Sequence, residues 1–178
     1  MIKLFVLLSQ FVFAAPTTQN IDGAYTKPCY FSDDADALTS HLKIQGSKWT
    51  LSHVAYEDNK CETPYLIFDI AYTANTDGQN VDMTAVQATY TSLSEVVTGV
   101  LNQIQWCGFS DWKTNEPKNA SGKTCADFVP PHEGEVLYST YLMKDDSHLY
   151  LGIDSKGFNG KTPATRHQQI DNSPFNRD

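Results

Sequence analysis

The chain has 178 residues, with 21 acidic against 13 basic side chains and a formal net charge of −8. That balance argues against a partner held through a phosphate backbone, which needs clustered Lys and Arg. The length fits one domain large enough to bury a core, and no apolar run reaches the roughly twenty residues of a membrane-spanning helix.

The first element is a leader. Met1-Ile2-Lys3 precedes an apolar run from Leu4 to Phe13, broken at Ser9 and Gln10, and Val12-Phe13-Ala14 puts small residues at the third and first positions before Ala15-Pro16. This is the pattern of a cleavable secretory signal peptide. The expected division is 1–14 signal peptide and 15–178 a single domain, secreted or periplasmic, with no membrane span.

After a polar stretch from Thr17 to Asp22, period-two alternation bounded by turn residues predicts antiparallel strands. Gln45-Gly46-Ser47 separates Thr39 to Ile44 from Lys48 to Tyr56 as a hairpin. In Tyr65 to Thr73, Leu66, Phe68, Ile70 and Tyr72 share one face, the expected interior. Asn75-Thr76-Asp77-Gly78 carries turn chemistry before a more polar run, Val81 to Thr91. The period then changes. Ser92-Leu93-Ser94-Glu95 has a capping-box pattern, and Val96, Val97, Val100, Leu101 and Ile104 recur at helical spacing, which predicts one amphipathic helix over about 94–106. Cys107 to Gly134 is rich in Gly, Pro, Asn, Ser and Lys and reads as a long loop. Glu135 to Met143 and His148 to Ile153 are the last strong strands, and the polar tail carries one short paired segment around Arg166 to Ile170.

Four cysteines, an even number in an exported chain, favour disulfides over metal ligands. Three connectivities are open. Cys29 with Cys61 ties the N-terminal segment to an early hairpin, Cys107 with Cys125 brackets the turn-rich loop, and this pairing is the expected one, each bridge worth roughly 3 kcal/mol in the chain-entropy picture.

Motifs for chemistry are weak. Cys107-Gly108-Phe109-Ser110 matches the active-site tetrapeptide of monothiol glutaredoxins, but a redox thiol there would begin a helix, and this one is expected to end one. Gly122-Lys123-Thr124 and Gly160-Lys161-Thr162 lack the earlier Gly of a phosphate-binding loop, since Pro117 and Ser155 stand there. The stretch Asn75 to Asp82 resembles a calcium loop only loosely, with Val86 where the bidentate Glu belongs; it and the cluster Asp33, Asp34 and Asp36 read as solvated acids. His41, His53, His132, His148 and His167 show no metal-ligand spacing. No nucleophile elbow occurs, so catalytic residues, metal ligands and cofactors are expected to be none. Asn119-Ala120-Ser121 fits a glycosylation acceptor, meaningful only in a eukaryotic secretory pathway.

Aromatic residues crowd the expected strands: Trp49, Phe68, Tyr72, Tyr90, Tyr138, Tyr141 and Tyr150. In a sheet closed on itself they either fill the core or line a cavity for one apolar ligand. The candidate lining set is Trp49, Leu51, Phe68, Ile70, Tyr72 and Tyr138.

Gly23-Ala24-Tyr25 stands where lipocalin-type, or calycin, β-barrels open with G-x-W, and with the succession of hairpins and a late Arg166 the chain resembles that family. Tyr replaces the usual Trp, and the helix precedes the last two strands. The resemblance implies an all-β, up-and-down antiparallel meander closed or nearly closed into a barrel, a small apolar ligand, and Arg166 over Tyr25 at a barrel end. The blocks from Cys107 to Trp112, Gly122 to Cys125, Leu149 to Gly152 and Thr165-Arg166 are also similar to small exported bacterial proteins of unassigned function, a likeness that supports the second disulfide alone. The expected function is an exported binding protein for a small, mostly apolar molecule. The alternative is an envelope or surface interaction protein, an adhesin or inhibitor, in which the loop Cys107 to Cys125 presents Phe109 and Trp112 as anchors.

Overall fold

A computed structural model describes residues 20–31 and 37–178. The leader and the acidic residues Asp33, Asp34 and Asp36 lie outside the described residues. Five long strands come first: β1 (Gly23–Phe31), β2 (Ala37–Gln45), β3 (Lys48–Tyr56), β4 (Pro64–Asp77) and β5 (Asn80–Ser92). Helix α1 (Glu95–Gln103) and the short β6 (Lys118–Asn119) precede β7 (Val136–Met143) and β8 (His148–Ile153), after which come β9 (Gln169–Ile170) and β10 (Phe175–Arg177).

Every pairing is antiparallel. The order runs β10-β1-β2-β3-β4-β5-β7-β8, and β10 pairs back onto β8, so eight strands close into a barrel as expected; β6 pairs with β5 and β9 with β8 beside the ring. Local chemistry sets the turns. Gly46 and Gly78 take positive φ values of 56° and 59° between β2 and β3 and between β4 and β5, a backbone region that side chains with a Cβ avoid.

Alternation sets the faces. In β2 the buried Ser40, Leu42 and Ile44 alternate with the exposed His41, Lys43 and Gln45. Carried through the register, the inward positions form layers: Ile44, Trp49, Tyr72 and Ala85; then Leu42, Leu51, Ile70 and Ala88; then Ser40, His53, Phe68 and Tyr90; then Leu38, Ala55, Leu66 and Ser92. Large residues meet small ones in the first two layers, as the taper of a small barrel requires. Trp49 is 1% exposed and Ala85 2%. That end, with Tyr25, Leu149 and Phe175, is a filled core.

Besides the two-residue β6, which lies in the stretch read as loop, two strands of the ring escaped the sequence reading for identifiable reasons. β1 is broken by a register shift between Lys27 and Tyr30, which disturbs the parity that alternation depends on. β10 has three residues, too few to show a period. It supplies the arginine over Tyr25: the guanidinium of Arg177 lies 5.1 Å from the Tyr25 ring and donates to its hydroxyl at 2.6 Å. Arg166 does not occupy that place. It pairs with Asp82 at 2.6 Å, donates to the carbonyls of Val81 and Ser139, and lies 5.5 Å from the Tyr138 ring.

The helix is shorter than expected and turned differently. Its cap is Ser94, whose Oγ accepts from the Val97 N–H, while Ser92 is buried at the end of β5. Thr98 and Leu101 face inward, and Val96, Val100 and Ile104 are exposed. Thr98 displaces the apolar stripe because its hydroxyl finds partners inside, Ser92 Oγ at 2.9 Å and Thr114 Oγ1 at 2.8 Å.

The disulfides join Cys29 to Cys61 and Cys107 to Cys125. The first ties β1 to the connection after β3; the second closes the long segment between α1 and β7. Replacing Cys107 and Cys125 together by Ser is expected to lower the unfolding free energy by about 3 kcal/mol, read as a lower urea midpoint with unchanged β-sheet circular dichroism before the transition. An unchanged midpoint would mean that the loop is held without its bridge.

Candidate functional site

The third and fourth layers are not filled. Between them and the segments that cover this end of the barrel lies a cavity of 1230 Å³, open past Phe31 and Phe128, which are both largely exposed. Its two walls differ in chemistry.

One wall is polar and built from β1, β2 and β3. The irregularity in β1 brings Lys27 and Tyr30, three positions apart, to the same cavity. Lys27 Nζ reaches Asp171 at 2.5 Å and lies 4.6 Å from the centre of the Tyr30 ring. The Tyr30 hydroxyl is 2.8 Å from Ser40 Oγ, which is 2.7 Å from His53 Nδ1. Burial, with Lys27 adding to it and Asp69 opposing, pushes the His53 pKa down to about 4, so the ring is neutral at pH 7. Desolvation of Asp171 is outweighed by the Lys27 ammonium and the Ser173 N–H, which hold its carboxyl below the ordinary range.

The other wall is aromatic. Phe68 stacks on Tyr90 at 4.5 Å, Tyr90 meets Trp106 edge-on at 4.5 Å, and Phe128 meets Phe68 edge-on at 5.7 Å. Burial raises the Tyr90 pKa to about 12, so its phenol stays neutral. Trp106 reaches this wall because the chain reverses just after α1, with Gln105 and Cys107 in left-handed conformations, φ 51° and 54°. Cys61, Asn115 and Ala126 also have positive φ. Among the described residues, the five non-glycine residues with this costly backbone sit between β3 and β4 or between β5 and β7, where strain of this kind persists only if surroundings impose it.

The sequence-derived lining residues divide between the two ends. Phe68 lines the large cavity. Trp49 is sealed in the filled end, with Leu51 packed against that core. Ile70 and Tyr72 belong to the core and also border a smaller cavity of 240 Å³ that shares Phe128 with the large one. Tyr138 lies under Arg166, apart from both. The loop anchors turn inward: Trp112 is 3% exposed and accepts and donates main-chain hydrogen bonds with the Asn102 side chain, and Phe109 is half-buried, edge-on to Trp112 at 5.7 Å. The loop thus uses its aromatics as its own core.

Sequence reasoning missed Lys27, Tyr30, Ser40, His53 and Trp106. A signal for His53 and Ser40 was present: each occupies an inward position of its strand, next in step after Trp49 and Leu51 or before Leu42 and Ile44. A polar residue on an apolar row marks either a satisfied core group or a site.

Ser40 and His53 do not form a nucleophile and base. Ser40 is 1% exposed and is not part of the cavity surface, so its hydroxyl positions the imidazole instead of facing a substrate. Among the described residues no group of three or more His, Cys, Asp or Glu is placed to hold a metal ion, and no helix is long and apolar enough to cross a membrane. Comparison with protein-family models and with curated proteins finds no match for this chain.

Proposed function

We propose that this protein binds a small, mostly apolar molecule in the cavity at the open end of its barrel, and that it does so after export. The observation that carries the reading is the contrast between the two ends: the layers around Trp49 and Ile70 are packed, and those around Phe68 and Ala55 border 1230 Å³ of open space. A core under selection for stability alone is filled, because unfilled space forfeits dispersion contacts. The cavity is of ligand size, mostly apolar, with a few convergent polar groups. Two disulfides and the secretory leader pattern support export.

Native mass spectrometry of protein purified from an exporting host tests this. The expected result is a mass excess that disappears on denaturation, together with quenching of Trp106 fluorescence when the extracted compound is returned to stripped protein. Ala55→Trp, which places a large ring in the cavity from a wall position, is expected to abolish both signals while leaving the circular dichroism spectrum unchanged. An excess that persists in Ala55→Trp would place the ligand elsewhere.

A further inference from the structure

The polar wall bears on which end of a ligand the cavity receives, an inference that rests on the binding reading above. Tyr30, Ser40 and His53 form a chain of two hydrogen bonds, 2.8 and 2.7 Å long, that ends on Nδ1. Hydroxyls can donate in either direction, so the surroundings decide. The Lys27 ammonium on the Tyr30 ring draws electron density from the phenol and makes its O–H the better donor. Tyr30 then donates to Ser40, Ser40 donates to Nδ1, and a neutral imidazole carries its proton on Nε2.

The hydrogen bond to Ser40 occupies Nδ1, and the His53 ring, with its Nε2 edge, is part of the cavity lining. The charged side chains of the lining are Lys27, paired with Asp171, and Asp127 at the rim. An anionic group would have to compete with Asp171 for Lys27 and would meet Asp127, while a cationic group at His53 would face the Nε2–H donor. Phe68 stacks beside His53 at 6.3 Å, and beyond it stand the faces and edges of Tyr90, Trp106 and Phe128, which suit a flat apolar body.

We propose that the cavity selects a neutral, flat ligand bearing a hydrogen-bond acceptor, such as a carbonyl oxygen, which accepts from the Nε2–H of His53.

The test uses three fluorescent naphthalenes: an uncharged alkyl ketone, its analogue with the ketone reduced to methylene, and an anionic sulfonate. Wild type is expected to bind the ketone about tenfold more tightly than the methylene analogue. In His53→Phe, which keeps a ring but loses the N–H, the ratio of ketone to methylene affinity is expected to fall to about one. Equal affinity for ketone and analogue in wild type, a preference that survives His53→Phe, or tightest binding of the sulfonate would overturn the assignment and leave the cavity reading intact. Failure of wild type to bind any of the three would remove both. Nitrogen-15 NMR of the ligand-free imidazoles checks the same point without a variant: His53 is expected to be protonated on Nε2 and bare on Nδ1, and the opposite tautomer would overturn the proposal.

Discussion

Trp49→Ala is expected to destabilise the protein by about 3–5 kcal/mol, the usual cost of removing a fully buried tryptophan. Trp49 is 1% exposed, sits between Ile44 and Tyr72 in register, meets Tyr141 edge-on at 6.1 Å, and donates its indole N–H to the Gly46 carbonyl. Neighbours on three sides belong to a closed ring of strands, which limits how far they can relax into the hole. Leu38→Ala, at the cavity wall, removes a side chain that already borders open space, so its expected cost is about 1 kcal/mol. Urea unfolding of the two variants decides it. Equal losses would mean that the two halves of the barrel are packed alike.

The second large effect is on pH dependence. His53 is neutral in the folded protein down to about pH 4, whereas in the unfolded chain it takes up a proton near its ordinary 6.5. Between those values the unfolded state binds more protons, so stability falls as the pH falls. The contribution is intact above 6.5, is lost progressively down to about 4, and amounts to about 3 kcal/mol over the interval. Below that range the lowered carboxyls, Asp171 among them, take over the acid sensitivity. Urea midpoints at pH 7.5, 5.5 and 4.5 are expected to drop stepwise in wild type and much less in His53→Phe. Parallel curves for the two proteins would show that the imidazole titrates freely in the fold.

How much of this was legible beforehand depended on which physical signal each element carries. β2, β3, β7 and β8 announce themselves as apolar and aromatic runs bounded by turn residues, with regular alternation of buried and exposed positions in β2. β1 does not, because its irregularity lets Lys27 and Tyr30 both serve the cavity at the expense of a clean pattern. The helix was legible as a helix, through its period, but its buried side was not: apolar residues cover more than one face, and the polar Thr98 wins the interior through two hydroxyl partners. The aromatic richness of the strands pointed to either core or cavity. The structure contains both, and no local feature of the chain distinguishes Trp49, in a packed layer, from Phe68, in an open one. That difference arises from what covers each end, and the cover is a loop whose path is set by Cys107, Cys125 and left-handed turns at Gln105 and Cys107.

The strand that completes the ring is the last of the described strands to be made. Tyr25 and Arg177, which meet at the seam between β1 and β10, are 152 positions apart. A ribosome must therefore synthesise nearly every other strand before the ring can join, and until Arg177 emerges β1 and β8 each carry a row of backbone donors and acceptors without their final partner. A chain halted after β8 would be an open sheet with two adhesive margins, inclined to pair with another such chain. Under the export proposed above, crossing the membrane unfolded and closing only on the far side would keep those margins apart from one another until the seam is available.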